Sequence, residues 1–294
     1  MDGRATAPAA GTILNALATG TGAAFAIDLE TTATVELDGS EGVSGTVENA
    51  PDTDTTLIER CVERTLERYR EAADIEESIQ GGTVATESEV PLASGLKSSS
   101  AAANATVLAT LDALGSGLAD DVDRLEACLV GVEAARDAGV TVTGALDDAS
   151  ASMLGGVTIT DNTRDRLLEH DRANLGDYAA IYTPPEQSFS ADADVDTCKR
   201  IGSMADLVAE LALDRRYAEA MTVNGLAFCG ALECSTQPIL EALPDAAGVS
   251  LSGTGPSYVA VGDRDALETV SERWRDRPGT TRLVRTRTEG ATTL

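Results

Sequence analysis

Apolar and polar positions change their spacing several times along the chain, and each change marks an element. Through the first thirty-odd residues small and apolar side chains interleave with glycine. The run Ala26-Ile27-Asp28-Leu29 then leads into Thr32-Ala33-Thr34-Val35-Glu36-Leu37, the chemistry of a strand. Leu57, Ile58, Cys61, Val62, Leu66 and Tyr69 recur at three and four, which predicts an amphipathic helix beginning near Asp52 and Asp54. Residues 75–90 read as an extended segment that delivers the chain to Pro91. From Ser98 to Leu114 an Ala-rich helix is expected, stopped by Gly115. Val122, Leu125, Cys128, Leu129, Val132 and Ala135 predict the next helix, ended by Gly139, and a third starts after Gly144 and runs to Met153.

Beyond Gly155-Gly156 the texture changes. Val157 to Thr160 and Tyr178 to Tyr182 are expected strands, and Pro184 to Asp196 a polar loop. Helices are expected at about 201–213, 215–231 and 236–243, then a strand–glycine loop–strand unit around Val249 to Val261 and a helix from Asp263 to Trp274. No repeat of solenoid period appears. A length of 294 residues favours two domains. The boundary is placed near 155, giving segments 1–155 and 156–294 that both mix helix with sheet, an α+β class.

Composition narrows the functions that fit. Aromatic residues are only 3% against 43% apolar overall, so Ala, Val and Leu must do most of the packing. Acidic residues number 49 and basic ones 22, a net charge of −27, which disfavours nucleic acid and anionic lipid as partners. Lys97 and Lys199 are the only lysines, and the acids are spread out, not blocked together. Such a surface suits the salt-rich cytoplasm of a halophilic host. No apolar run approaches the roughly 18 residues of a membrane span, and the N-terminus lacks a signal pattern, so a cytoplasmic protein is expected. Cys61, Cys128, Cys198, Cys229 and Cys234 show no CxxC pairing and read as free thiols in a reducing compartment. The single histidine, His170, excludes a multi-histidine metal site and is expected on a solvated helix face.

Three stretches carry candidate chemistry. In the first, Pro91-Leu92-Ala93-Ser94-Gly95-Leu96-Lys97-Ser98-Ser99-Ser100-Ala101 feeds a serine-rich turn directly into the Ala-rich helix. The open N–H groups and dipole of that helix end make an anion seat, to which Lys97 adds charge and the serines add ligands for phosphate or Mg²⁺. An ordinary serine cap would account for one hydroxyl, leaving Gly95, Lys97 and the other serines without a role. The Walker pattern is absent. In the second, Thr141 to Gly156, Asp147 and Asp148 sit inside a small, apolar run and must cap a helix, bind metal or act as a base. In the third, Val249 to Val261, the turn Ser252-Gly253-Thr254-Gly255-Pro256-Ser257 lets backbone approach a ligand closely, although a GxG turn between strands is by itself a weak signal.

Together these stretches resemble the GHMP kinase superfamily: a Pro-x-x-x-Gly-Leu-x-Ser-Ser phosphate loop, an Asp-bearing segment ending in Gly-Gly, and a late Gly-Thr-Gly loop. The run Ala7-Pro8-Ala9-Ala10-Gly11-Thr12-Ile13-Leu14-Asn15-Ala16 is similar to that superfamily's first motif. With the double-Asp segment and Gly155-Gly156-Val157-Thr158-Ile159-Thr160-Asp161-Asn162, the likeness narrows to archaeal-type shikimate kinases. The resemblance implies an N-terminal α+β domain with a left-handed crossover packed on a ferredoxin-like C-terminal domain. It also implies ATP and Mg²⁺ in the cleft, with shikimate as the small-molecule acceptor and shikimate 3-phosphate as product.

Carried over by position, Gly95 to Ser99 wrap the phosphates, Ser99 is a Mg²⁺ ligand, and Gly253 to Ser257 support the nucleotide's phosphate side. Asp148 is preferred over Asp147 as the catalytic aspartate, with Glu133 or Asp137 as a second metal ligand. Shikimate is an anion, so an arginine and several hydroxyl or amide partners are expected in its pocket; Asn15, Asn162 and Arg164 are the candidates. The sequence departs from the family where Ala9 and Ala10 stand in place of a lysine, which shifts charge stabilisation onto Mg²⁺, Lys97 and the helix end. A homoserine or mevalonate type of kinase, and a non-catalytic nucleotide sensor, remain as alternatives.

Overall fold

The computed structural model describes residues 1–48, 50–74, 78–90, 94–115, 117–141, 144–172, 175–185 and 194–294. Most of the expected polar loop and residues 91–93 therefore lie outside the described residues. The chain opens with β1 (Asp2–Leu14), β2 (Thr21–Asp38), β3 (Val43–Val47), α1 (Thr56–Tyr69) and β4 (Gly81–Ser88). Four helices follow: α2 (Ser98–Leu114), α3 (Leu118–Asp121), α4 (Arg124–Asp137) and α5 (Leu146–Leu154). Next comes the hairpin of β5 (Val157–Asp161) and β6 (Arg166–Asp171). The remainder is β7 (Tyr178–Thr183), α6 (Val195–Lys199), α7 (Gly202–Leu213), α8 (Tyr217–Ala231), α9 (Gln237–Ala242), β8 (Gly248–Leu251), β9 (Tyr258–Gly262), α10 (Arg264–Arg275), β10 (Thr280–Arg285) and β11 (Thr292–Thr293).

Among the described residues two sheets form. The first runs β11-β1-β2-β4-β3, with β5 pairing β2 and β6. All its pairs are antiparallel except β3 with β4, which are joined through α1. The second sheet has the order β10-β7-β9-β8, all antiparallel. Read with its helices, it is β-α-β-β-α-β, the ferredoxin-like arrangement. Residues 157–171 and 292–293 hydrogen-bond into the first sheet, so the chain changes sheet after β6 and not at 155.

Every residue of β1 from Ala5 to Leu14 is buried, because helices α2 and α5 and helices α7 and α8 all pack against this strand. A strand covered on both faces loses its alternation, which is why the first thirty residues read as small and apolar throughout. One core layer joins α1, α2 and α4 to the first sheet through Val35, Ile58, Val62, Leu108 and Val130. A second lies between Ile13, Phe25 and Ile159 of that sheet and Ile181, Val208, Met221 and Val259 of the C-terminal half. In α2, thirteen of the residues are buried, so this helix is enclosed, not amphipathic. The expected stripe of α1 is all buried, together with Thr65.

His170 corrects an expectation: it lies on strand β6, opposite Thr158, with Nε2 2.9 Å from the carbonyl oxygen of Gly155. Its polar neighbourhood carried no period, and the cross-strand pairing with β5 decides the conformation. All five cysteines are free thiols, four of them buried. Among the described residues no helix is long and apolar enough to cross a membrane.

Small residues let backbones meet. A Cβ at Gly3 would stand 2.1 Å from the carbonyl oxygen of Ala109 and 2.4 Å from the nitrogen of Ala113, so α2 lies directly on β1. At Gly225 and Gly248 the same construction meets Ser250 Cα at 2.8 Å and the Ala218 carbonyl oxygen at 2.5 Å, which seats α8 on β8. Gly3→Ala is expected to cost about 1–3 kcal/mol, the usual scale of overpacking, seen as a lower urea midpoint in equilibrium unfolding.

Candidate active site

Two helix N-termini converge on one cavity of about 610 Å³. Helix α2 contributes Ser98, Ser99 and Ser100 to its wall, and α5 contributes Asp147, Asp148 and Ala149. Among the described residues neither helix start has a side-chain cap, and the residues before them, Lys97 and Ala145, take left-handed backbone angles of φ 65° and 50°. Side chains rarely adopt that conformation, and where they do the surroundings must enforce it. The result leaves the first-turn N–H groups of α2 facing the cavity, with the positive end of its dipole behind them.

Lys97 crosses from this loop to the acid pair. Its Nζ stands 2.8 Å from Oδ2 of Asp148, with only 12% and 10% of the two side chains exposed. Gly253 makes the crossing possible: a Cβ there would lie 2.8 Å from Nζ of Lys97. The other oxygen of Asp148, Oδ1, is buried and meets no hydrogen-bond partner among the described residues. Burial, then the charge of Asp147, push the Asp148 carboxyl up to about 7, and Lys97 opposes them. Asp147 is differently held. Its Oδ1 accepts from Nδ2 of Asn162 at 2.7 Å, while Asn162 Oδ1 accepts from Thr160 at 2.6 Å. The carboxylate lies over Gly22, where a Cβ would be 2.5 Å from Oδ2.

The Gly-Thr-Gly turn is bound tightly to the serine-rich loop. Ser252 Oγ donates to the carbonyl of Gly95 at 2.8 Å, and the Ser257 amide donates to the carbonyl of Ser94 at 3.2 Å. Gly95, at φ 79°, has no room for a side chain: its Cβ would meet the carbonyl oxygen of Ser252 at 2.3 Å.

Of the expected nucleotide residues, Ser94, Gly95, Lys97, Ser98, Ser99, Ser100, Gly253 and Thr254 line the cavity. Leu96 and Ala101 are buried behind it, Gly255 packs on Leu251 and Cys234, and Ser257 bonds Thr183. Pro91, Leu92 and Ala93 lie outside the described residues. Asn15 lines the cavity, but both ends of its amide are engaged: Nδ2 donates to Gly253 and Oδ1 accepts from Leu17. Asn162 stands behind Asp147 and does not line the wall.

Two expectations need correction. Arg164 is on the solvent side of the β5–β6 turn, 76% exposed and paired with Asp161 at 3.2 Å, so the arginine expected in the acceptor pocket is not among the described lining residues. Glu133 does not reach the cavity either. Gly131, Val132 and Ala135 form the wall from α4, whereas Glu133 turns toward α1 and pairs with Arg64 at 3.1 Å. Asp137 meets the same arginine at 2.5 Å. The sequence did not reveal the walls supplied by Thr31, Thr86 and Ser88, or by Val47, Leu57 and Ile58. Only the pairing of β2 with β4 and the packing of α1 bring them together.

Among the described lining residues three acids, Asp54, Asp147 and Asp148, face one cation, Lys97. A nucleotide's phosphates would therefore need a counter-ion, and oxygen-only donors suit a hard divalent cation. No cluster of three His, Cys, Asp or Glu side chains among the described residues could hold a metal unaided.

An uncapped helix end, a lysine beside it and a buried carboxylate with one unpartnered oxygen meet at this cavity. The profile of the GHMP kinases N terminal domain matches residues 56–156. Shikimate kinase from Halobacterium salinarum (strain ATCC 29341 / DSM 671 / R1) is 62% identical over 294 residues, covering 100% of both chains. Shikimate kinase from Methanothrix thermoacetophila is 51% identical over 290 residues, covering 98% of this chain and 94% of its own. Among solved structures, homoserine kinase from Cytophaga hutchinsonii superposes with a TM-score of 0.75 at 18% identity, covering 100% of this chain and 97% of that one. Mevalonate kinase from Methanococcus jannaschii gives 0.74 at 13% identity, covering 97% and 98%. The chain belongs to the GHMP kinase family, and the identities of 62% and 51% over nearly its whole length set it beside the family's archaeal shikimate kinases.

Asp147→Asn removes the like charge beside Asp148, so the Asp148 carboxyl is expected to titrate lower. The acidic limb of the pH–turnover profile should move to lower pH, and an unmoved limb would show that Asp147 does not tune its neighbour.

Proposed function

We propose that the chain transfers the γ-phosphoryl group of ATP to the 3-hydroxyl of shikimate, giving shikimate 3-phosphate. The observation that carries this is the Asp148 carboxylate in the cavity wall, one oxygen on Lys97 and the other without a partner among the described residues, beside the uncapped start of α2. The full-length identity to shikimate kinases supports the choice of acceptor.

Phosphoryl transfer asks the protein for position and charge more than for covalent chemistry. The first-turn amides of α2 and the Gly95 turn hold the phosphates. Lys97 neutralises charge that spreads onto the transferring group and takes over from the lysine that Ala9 and Ala10 replace. Asp148 accepts the hydroxyl proton, and Asp147, fixed by Asn162, keeps it basic. Bound Mg²⁺ supplies the counter-charge that the acid-rich lining lacks. Ser99 would hold it together with the nucleotide's own oxygens. The scattered acids of the surface fit a salt-rich cell interior, and an assay should contain high potassium chloride.

A panel of shikimate, homoserine and mevalonate with coupled ADP detection tests the acceptor. Turnover confined to shikimate is expected, and preference for another alcohol would reassign it. Asp148→Asn should lower kcat by roughly 10²–10⁴ while leaving ATP affinity within a few-fold. Full activity in that variant would move the base elsewhere. Ser99→Ala should raise the Mg²⁺ concentration needed for half-maximal rate, read from a metal titration.

A further inference from the structure

Asn224 lies in the middle of α8, is 0% exposed, and does not line the cavity. A primary amide so placed in an apolar helix must be matched on both ends, since an unmatched buried polar group is costly. Its Oδ1 accepts from the backbone amide of Asn15 at 3.0 Å, and its Nδ2 donates to Ser250 Oγ at 3.0 Å. Asn15 passes the connection on, because its own Nδ2 donates to the carbonyl of Gly253 at 2.9 Å. From the other side, the amide of Gly253 donates to Thr12 Oγ1 at 2.8 Å. The Gly253 peptide is thus gripped at both ends by the first strand and its exit, and Asn224 fixes that exit.

Gly253 is also the residue whose missing side chain leaves room for Lys97 to reach Asp148, and its neighbour Ser252 holds Gly95. Close contact of α8 with β8 at Gly225 leaves the relay little slack. We infer that Asn224 is a positioning residue for phosphate binding and transfer, acting through Asn15 and Gly253 on Lys97 and the Gly95 turn. The inference rests on the kinase function proposed above and adds to it a residue remote from the reacting groups.

The test is a double-mutant cycle on the full chain in high potassium chloride, with Asn224→Leu, Asn15→Ala and the pair. Affinity for a non-hydrolysable ATP analogue with Mg²⁺ is measured by calorimetry well below the melting temperature. Each single variant is expected to weaken binding about tenfold and to lower kcat by up to about 10², as for a small misplacement of reacting groups. Because the two act in series, the pair should lose little more than the worse single variant. Unchanged affinity in Asn224→Leu or additive losses in the pair would each overturn the inference. If Asn224→Leu does not melt cooperatively, Asn224→Ala takes its place in the same cycle. A wild-type chain that binds the analogue but releases no ADP with shikimate would defeat the proposed function and leave this affinity test standing.

Discussion

The Lys97–Asp148 contact is the interaction on which the site depends. A lysine and a carboxylate, each about nine-tenths buried, meet at 2.8 Å while a second carboxylate adjoins them. Taking charges out of water is unfavourable unless the geometry returns the loss, and here the geometry comes from three separate pieces of chain. Lys97 is in a left-handed conformation at the mouth of α2, Asp148 is in the first turn of α5, and Gly253 clears the path between them. Moving any one of these would leave the others with an unmatched buried charge. The fold can be understood as the means of holding these three positions in register.

That view explains how the site accommodates the missing lysine of the first motif. Ala9 and Ala10 are fully buried in β1, under helices on both faces, where an ammonium group would have no water. The cation beside the acid pair instead comes from Lys97, the residue that precedes α2. Among the described lining residues the acids outnumber the one cation, so a nucleotide bound there would need a counter-ion that the lining does not supply.

Much of this was legible in the sequence, for identifiable reasons. Helix α2 runs from Ser98 to Leu114 as expected because alanine propensity, an entering serine turn and a terminating glycine all agree. Asp147 and Asp148 stood out because carboxylates in a small apolar run require a purpose. Other features were hidden for equally physical reasons. Glu133 and Arg164 carry suitable chemistry, but helix phase and turn direction send them to Arg64 and Asp161. The hydroxyls of Thr31, Thr86 and Ser88 become a wall only through strand register. Asn224 looks like any polar residue within a helix until the other half of the chain is folded against it.

The close backbone approaches at Gly3, Gly225 and Gly248, with so few aromatic rings in the chain, make its mutational tolerance lopsided. Where helix and strand meet through hydrogen atoms alone, trimming a neighbouring side chain opens a modest void, whereas one added methyl group must push an entire helix aside. Drift in such a protein should therefore be permissive toward smaller residues at its seams and closed to larger ones, so that the spacing between its layers outlasts the identity of the side chains that fill them.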